Sequence, residues 1–202
     1  IIDMSWPIGQ AVNDGIDKNF YLGEFVQLTY PSIDEFSQIV ASLGPGCLMF
    51  KRDLSRAYRQ WPICPGDIGF LGYSWRNKFF IDCVLPFGLR SAAFICQRVT
   101  NSIAFLFRQQ GYEIVNYMDD FGGADNPLRA HTSFSCLGHL FKQLGVQESE
   151  EKAVSPSTDI DFLGIHFDSV SMTMSIPPEK MAEIREMLVQ WSGKTSASKQ
   201  EV

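Results

Sequence analysis

Two adjacent carboxylates end the tetrad Tyr117-Met118-Asp119-Asp120, which follows the β-type run Glu113-Ile114-Val115-Asn116 and precedes Phe121-Gly122-Gly123-Ala124. Placing two acids at the end of a buried strand is costly unless a cation neutralises them. The flanking glycines predict a sharp turn that would put both carboxylates at a hairpin tip. Mg²⁺ suits such a site, because it takes oxygen ligands and is held by one or two carboxylates together with substrate phosphates. An acidic surface turn is the plainer alternative, and an isolated Asp-Asp does not exclude it. Phosphoryl transfer at a nucleotide uses two such ions about 3.5–4 Å apart, which calls for a third carboxylate from another strand. Asp53 is the candidate, since it ends the apolar run Cys47-Leu48-Met49-Phe50.

The elements that must position these acids follow from apolar spacing. Ser32 and Glu35 form a capping-box pattern ahead of a helix with Ile33, Phe36, Ile39, Val40 and Leu43 on one face, stopped by Gly44-Pro45-Gly46. Ile68–Trp75 and Phe79–Leu85 read as two strands joined through Arg76-Asn77-Lys78. A long helix is predicted over Ser91–Gln110, with Ile95, Val99, Ile103 and Leu106 inward, and another over Leu128–Leu144, with Phe134, Leu137, Phe141 and Leu144 inward. Phe162–Phe167 and Ser171–Ile176 read as a second hairpin. Pro177-Pro178 opens a last helix with Met181, Ile184, Leu188 and Trp191 on one face. Antiparallel strands with helices between them predict an α+β fold, a sheet covered on one face by helices.

Composition bounds the reading. The 202 residues, 45% hydrophobic and rich in phenylalanine (16 Phe), suffice for one large domain or a compact pair of subdomains. No apolar run is long enough for a membrane span. The five cysteines show no C-x-x-C pair, and an odd, scattered set fits free, mostly buried thiols in a reducing intracellular compartment, cytoplasm or nucleus. The three histidines are scattered too and read as structural or surface residues. A net charge of -6 weighs mildly against a nucleic-acid binder. Yet Lys51, Arg52, Arg56 and Arg59 crowd around Asp53, with Arg90, Arg98 and Arg108 on the next long element. The start at Ile1-Ile2-Asp3 and the polar tail Ser192–Gln200 read as cuts through a longer polypeptide.

Four runs then occur in a telling order: Asp53-Leu54-Ser55-Arg56-Ala57-Tyr58, Leu85-Pro86-Phe87-Gly88-Leu89-Arg90-Ser91, Tyr117-Met118-Asp119-Asp120 and Phe162-Leu163-Gly164-Ile165. Together they resemble the motifs of reverse transcriptases over nearly the whole chain. The wording is closest to the polymerases of DIRS-type (tyrosine-recombinase) retrotransposons, as are Val12-Asn13-Asp14-Gly15, Tyr30-Pro31-Ser32 and Ile176-Pro177-Pro178-Glu179-Lys180. The resemblance implies a right-hand polymerase fold. Residues 1–47 would be partial fingers, 48–60 palm with the first acidic motif, 61–90 a fingers hairpin, 91–176 the rest of the palm, and 177–202 the start of the thumb with a polar tail.

It also implies roles. Asp53 and Asp119 would bind two catalytic Mg²⁺ ions (Mn²⁺ as a substitute), and Asp120 would complete the acidic site. Tyr58 would be the steric gate against a 2′-hydroxyl, although the letters equally suit a core aromatic. Arg56, Ala57, Phe87 and Gly88 would border the incoming dNTP. Lys152 would protonate pyrophosphate as a general acid, although Glu148, Glu150 and Glu151 make it look like part of a charged surface turn. Phe162, Leu163 and Gly164 would form the primer grip, or simply a buried strand ending in a turn. The chain departs from retroviral relatives at Phe87, where Gln is usual, and at Ala92-Ala93. A finger segment with a triphosphate-binding Arg, most of the thumb, and RNase H and recombinase portions are expected outside these residues. The implied partners are an RNA or DNA template with its primer, and dNTPs. An RNA-directed RNA polymerase and a decayed or domesticated element that binds without polymerising are the two rivals.

Overall fold

In a computed structural model of the chain, residues 3–194 and 196–198 are described. The expectations drawn on Ile1-Ile2 and on the end of the polar tail, Lys199-Gln200, lie outside them. A short hairpin, β1 (Phe20–Tyr21) and β2 (Glu24–Phe25), precedes α1 (Ile33–Leu43) and β3 (Leu48–Asp53). A second hairpin, β4 (Gly72–Trp75) and β5 (Lys78–Ile81), leads to α2 (Ala92–Arg108). Then come β6 (Ile114–Tyr117), β7 (Asp120–Asp125), α3 (Ala130–Leu144), β8 (Val154–Ser157), β9 (Asp159–Phe162), β10 (Ile165–Asp168), β11 (Thr173–Ser175) and α4 (Pro178–Ser192).

The centre is a four-stranded antiparallel sheet in the order β6-β7-β3-β8. Side chains alternate across it, so each strand feeds two cores. Phe50 and Phe121 point into one with Cys96, Ile103 and Phe107 of α2 and Leu137 and Phe141 of α3. Met49 and Ala124 point into the other with Phe36 and Val40 of α1 and Ile160, Phe162 and Phe167 of β9 and β10. Helices cover the sheet as the sequence predicts, and α1 with the β9–β10–β11 meander covers the opposite face as well. Seven phenylalanines in these cores are fully buried. At about 1.5–3 kcal/mol each, they anchor the layers between which the acidic strands are held.

Several predicted details shift. The buried face of α2 runs through Cys96, Thr100, Ile103, Ala104 and Phe107, while Leu106 is exposed. The helix is rotated by about one residue from the expected stripe. Leu144 is exposed rather than inward, and α4, whose Leu188 is exposed, buries no residue fully. Ile68–Leu71 is a 3-10 turn instead of strand. Phe162–Phe167 is broken by the turn Leu163-Gly164, so the expected hairpin is a three-stranded meander. Cys47 and Cys96 are buried, but Cys64 and Cys83 are exposed, against the expectation of mostly buried thiols.

Candidate active site

The pairing of β3 with β7 sets Asp53 directly opposite Asp120. Directly opposed residues of antiparallel strands project from the same face, so both carboxylates share one side of the sheet end. The Leu54 N–H continues the ladder by donating to the Asp119 carbonyl at 3.0 Å, which ties the chain beyond Asp53 to the acidic turn. A third segment joins from the far side. Ser149 N–H donates to the Asp53 carbonyl (2.8 Å), and Lys152, on the 3-10 turn Glu150–Lys152, donates from Nζ to Asp53 Oδ1 (3.0 Å). Lys152 thus stays on the acidic surface turn that its neighbours suggest, its side chain 58% exposed, and reaches Asp53 from there.

The hairpin tip is Met118-Asp119, between β6 and β7, with Met118 in the left-handed region at φ 53°. Gly122 and Gly123 do not make that turn, contrary to expectation. They lie inside β7, where buried rings approach the backbone: a Cβ on Gly122 would sit 2.6 Å from Phe162 Cζ, and one on Gly123 would collide with Phe50. The glycines are needed for close packing. The same contact fixes the meander to the strand that carries Asp120.

The carboxylates are electrostatically loaded. Burial, then a hydrogen bond with Asp53 and the Asp53 charge, push the Asp120 carboxyl up to about 6, with Lys51 opposing. Burial also raises Asp119, with Asp53 adding to it and Lys152 opposing. Lys152 is raised by its hydrogen bond to Asp53, which keeps it protonated at neutral pH. No group of three Asp, Glu, His or Cys side chains among the described residues is arranged to hold a metal ion unaided. The donor set still fits a divalent cation that brings outside oxygens, because its acids are crowded, partly desolvated and all oxygen donors.

Around this centre, Tyr58 packs its ring against Phe87 (centroids 5.1 Å apart). Burial pushes its hydroxyl up to about 12, with Cys96, Tyr30, Asp119 and Tyr117 adding to the shift, so Tyr58 is a neutral phenol within electrostatic reach of Asp119. Arg56 is exposed and takes a left-handed backbone at φ 49°, leading into the 3-10 turn Ala57–Gln60, whose Ala57 is buried. Gly88 is at φ 89°. Its carbonyl accepts from Asn13 Nδ2, and Asn13 Oδ1 accepts from Arg90 N–H, so buried Asn13 clips the loop that presents the exposed Phe87. Leu163 and Gly164 both have positive φ and form a tight turn, whereas Phe162 is fully buried against Phe36 and Gly122. Of that trio only the turn reaches the surface.

The expected basic girdle is largely committed elsewhere. Arg52 lies on the opposite sheet face, paired with Glu148 and stacked over Phe134. Arg59 grips Asp82 with two hydrogen bonds of 2.7 Å, Arg98 pairs with Glu24, and Arg108 caps the Ile114 carbonyl. Among the described residues, Lys51 and Lys152 are the cations that bear on the acids, Lys51 opposing the shift of Asp120 and Lys152 pairing with Asp53. One residue went unnoticed in the sequence: Gln97 of α2, 2% exposed, whose Oε1 accepts the Met118 N–H at 2.8 Å. A glutamine beside Cys96 on the helix's true inner face was the available signal.

Residues 18–167 match the sequence family described as reverse transcriptase (RNA-dependent DNA polymerase). No curated relative matches the sequence. Among solved structures, a foamy viral protease-reverse transcriptase in complex with double-stranded DNA is similar over 93% of this chain and 29% of that one (TM-score 0.68, 16% identity). The foamy viral protein in complex with an RNA/DNA hybrid is similar over 79% of this chain and 21% of that one (TM-score 0.59, 19% identity). The native prototype foamy virus protein is similar over 93% and 25% (TM-score 0.58, 15% identity). The chain therefore spans less than a third of the length of these relatives. With the family match covering most of its length and the fold shared across the sheet, the chain belongs to the reverse transcriptase family and has the polymerase fold.

Proposed function

We propose that the chain is the fingers–palm portion of an RNA-directed DNA polymerase from a retrotransposon of the DIRS type, adding dNTPs to a primer 3′-end on an RNA or DNA template. The observation that carries this is the convergence of Asp53, which ends β3, with Asp119 in the β6–β7 turn and Asp120, which begins β7, at one sheet end beside Lys152. Residues 1–47 and 61–90 serve as fingers, 48–60 and 91–176 as palm, and 177–202 as the start of the thumb. RNase H and recombinase domains accompany it in the same polyprotein. Five unpaired cysteines support a reducing cytoplasmic or nuclear setting. No helix among the described residues is long and apolar enough to cross a membrane.

Asp53 and Asp119 would hold two Mg²⁺ ions, or Mn²⁺ in their place, with Asp120 completing the charge. Such ions, when bound, neutralise the α-phosphate and activate the 3′-hydroxyl. The chain's own residues do the rest. The Tyr58 ring, braced by Phe87, closes the space a 2′-hydroxyl would need. Backbone N–H groups at Arg56 and Ala57, and the open backbone at Gly88, border the triphosphate. Lys152 keeps a proton on Nζ for the departing pyrophosphate. The Leu163-Gly164 turn, seated by buried Phe162, positions the primer end. Orientation and charge complementarity supply the rate.

Primer extension on an RNA template with dNTPs and Mg²⁺ tests this, using the chain alone and within the reading frame that encodes it. Extension that Asp119→Asn abolishes is the expected result. Folded protein that binds template-primer without extending it in either form would replace the reading with a non-enzymatic remnant.

A further inference from the structure

We propose that Gln97 is a positioning residue for the acidic turn, acting through the Met118 peptide. A residue other than glycine at φ 53° is held in a sparsely populated region and needs its surroundings to keep it there. Gln97 Oε1 accepts the Met118 N–H at 2.8 Å. Its Nε2 donates to Asn101 Oδ1 (2.7 Å) and to the Asn116 carbonyl (3.2 Å). Asn116 Nδ2 donates back to Asn101 Oδ1 (2.8 Å) and Thr100 Oγ1 (3.3 Å).

The three helix residues stand at i, i+3 and i+4 on α2, so one face of that helix reads the last strand residues before the turn. Gln97 and Asn116 are 2% and 1% exposed. A buried polar network of this kind specifies one geometry because every alternative leaves a donor or acceptor unmade. What separates Gln97 from an ordinary satisfied core amide is its aim. Its acceptor meets the N–H of Met118, the residue immediately before Asp119, so the helix sets where that carboxylate points.

The kinetic consequence rests on the polymerase reading, but the clamp itself can be read without it. Amide hydrogen exchange in the folded chain should show Met118 protected like its β6 and β7 neighbours. Gln97→Met keeps length and bulk and removes both the acceptor and the donors. It should speed Met118 exchange at least tenfold with other β6 and β7 amides within about twofold. The cost of one unmade buried hydrogen bond sets a fall in kcat for dNTP incorporation of about tenfold to a hundredfold. KM for dNTP and Kd for template-primer should stay within about threefold, a split that general destabilisation would not give once active sites are titrated. Exchange of wild-type Met118 at the free-peptide rate would overturn the inference whether or not the variant folds. So would unchanged Met118 exchange in Gln97→Met, or faster exchange with unchanged kcat. A wild-type protein with no extension activity would count against the polymerase reading alone, and the Met118 exchange would still decide the clamp.

Discussion

Replacing Asp120 with Asn should stabilise the metal-free protein while removing the proposed primer extension. In the folded chain the Asp120 carboxyl titrates at about 6 instead of the ordinary 3.8. A raised carboxyl binds its proton more tightly in the folded state than in the unfolded one. Stability therefore falls as pH rises from about 4 to about 6, and the loss is complete above that window. A shift of this size corresponds to about 3 kcal/mol at face value. Partial exposure of Asp120 cuts it to about 1–2 kcal/mol. Asn cannot ionise but can still hydrogen-bond to Asp53, so Asp120→Asn should exceed the wild type by about 1–2 kcal/mol at pH 8. The two should nearly coincide at pH 4. For a domain of this size the difference is about 2–8 °C in Tm. Urea unfolding at pH 4, 6 and 8 in a chelating buffer measures it. If Mg²⁺ is held as proposed, adding it at about ten times its Kd should raise the wild type by about 1.4 kcal/mol, because a ligand of the folded site alone stabilises the fold, and the variant by less. A variant no more stable than wild type at pH 8, or a gap that does not grow between pH 4 and pH 8, would refute the reasoning.

Gly122→Ala should destabilise by about 1–3 kcal/mol in the same assay, because its Cβ would meet the ring of fully buried Phe162; an unchanged urea midpoint would show that the ring can yield. Tyr58→Val should relax discrimination between dNTPs and rNTPs by roughly tenfold to a hundredfold, the range for a pocket that excludes one group by shape. A kcat/KM ratio for the two sugars equal to that of wild type would remove the gate role and reopen the RNA polymerase alternative.

The sequence carried the order and type of the main elements because those depend on local signals. Ser32, Glu35 and the Gly44-Pro45-Gly46 stop bound α1 to the residue. It also placed Asp53 and the acidic pair on separate strand ends. It did not carry the register, since pairing Asp53 with Asp120 depends on two distant strands whose alignment is set by Phe50 and Phe162 packing on the glycines of β7. The rotation of α2 was hidden for a related reason. Large apolar residues suggest the stripe Ile95, Val99, Ile103 and Leu106, but the sheet lies close enough there to prefer Cys96, Thr100 and Ala104. Small and polar residues on that true face let the helix approach β6 and leave Gln97 within reach of Met118. Apolar periodicity alone therefore misses such a helix, because its contact face is chosen by the space available and by the hydrogen bonds it must supply. The basic residues show the converse limit. A cluster of arginines beside Asp53 suggests a phosphate surface, yet alternation along β3 sends Arg52 to the face opposite Asp53, where Glu148 meets it. Charge near an acid in sequence becomes charge near it in space only when the strand period agrees. Of the basic residues close to Asp53 in sequence, Lys51 meets that condition, two positions before Asp53 and on the same face.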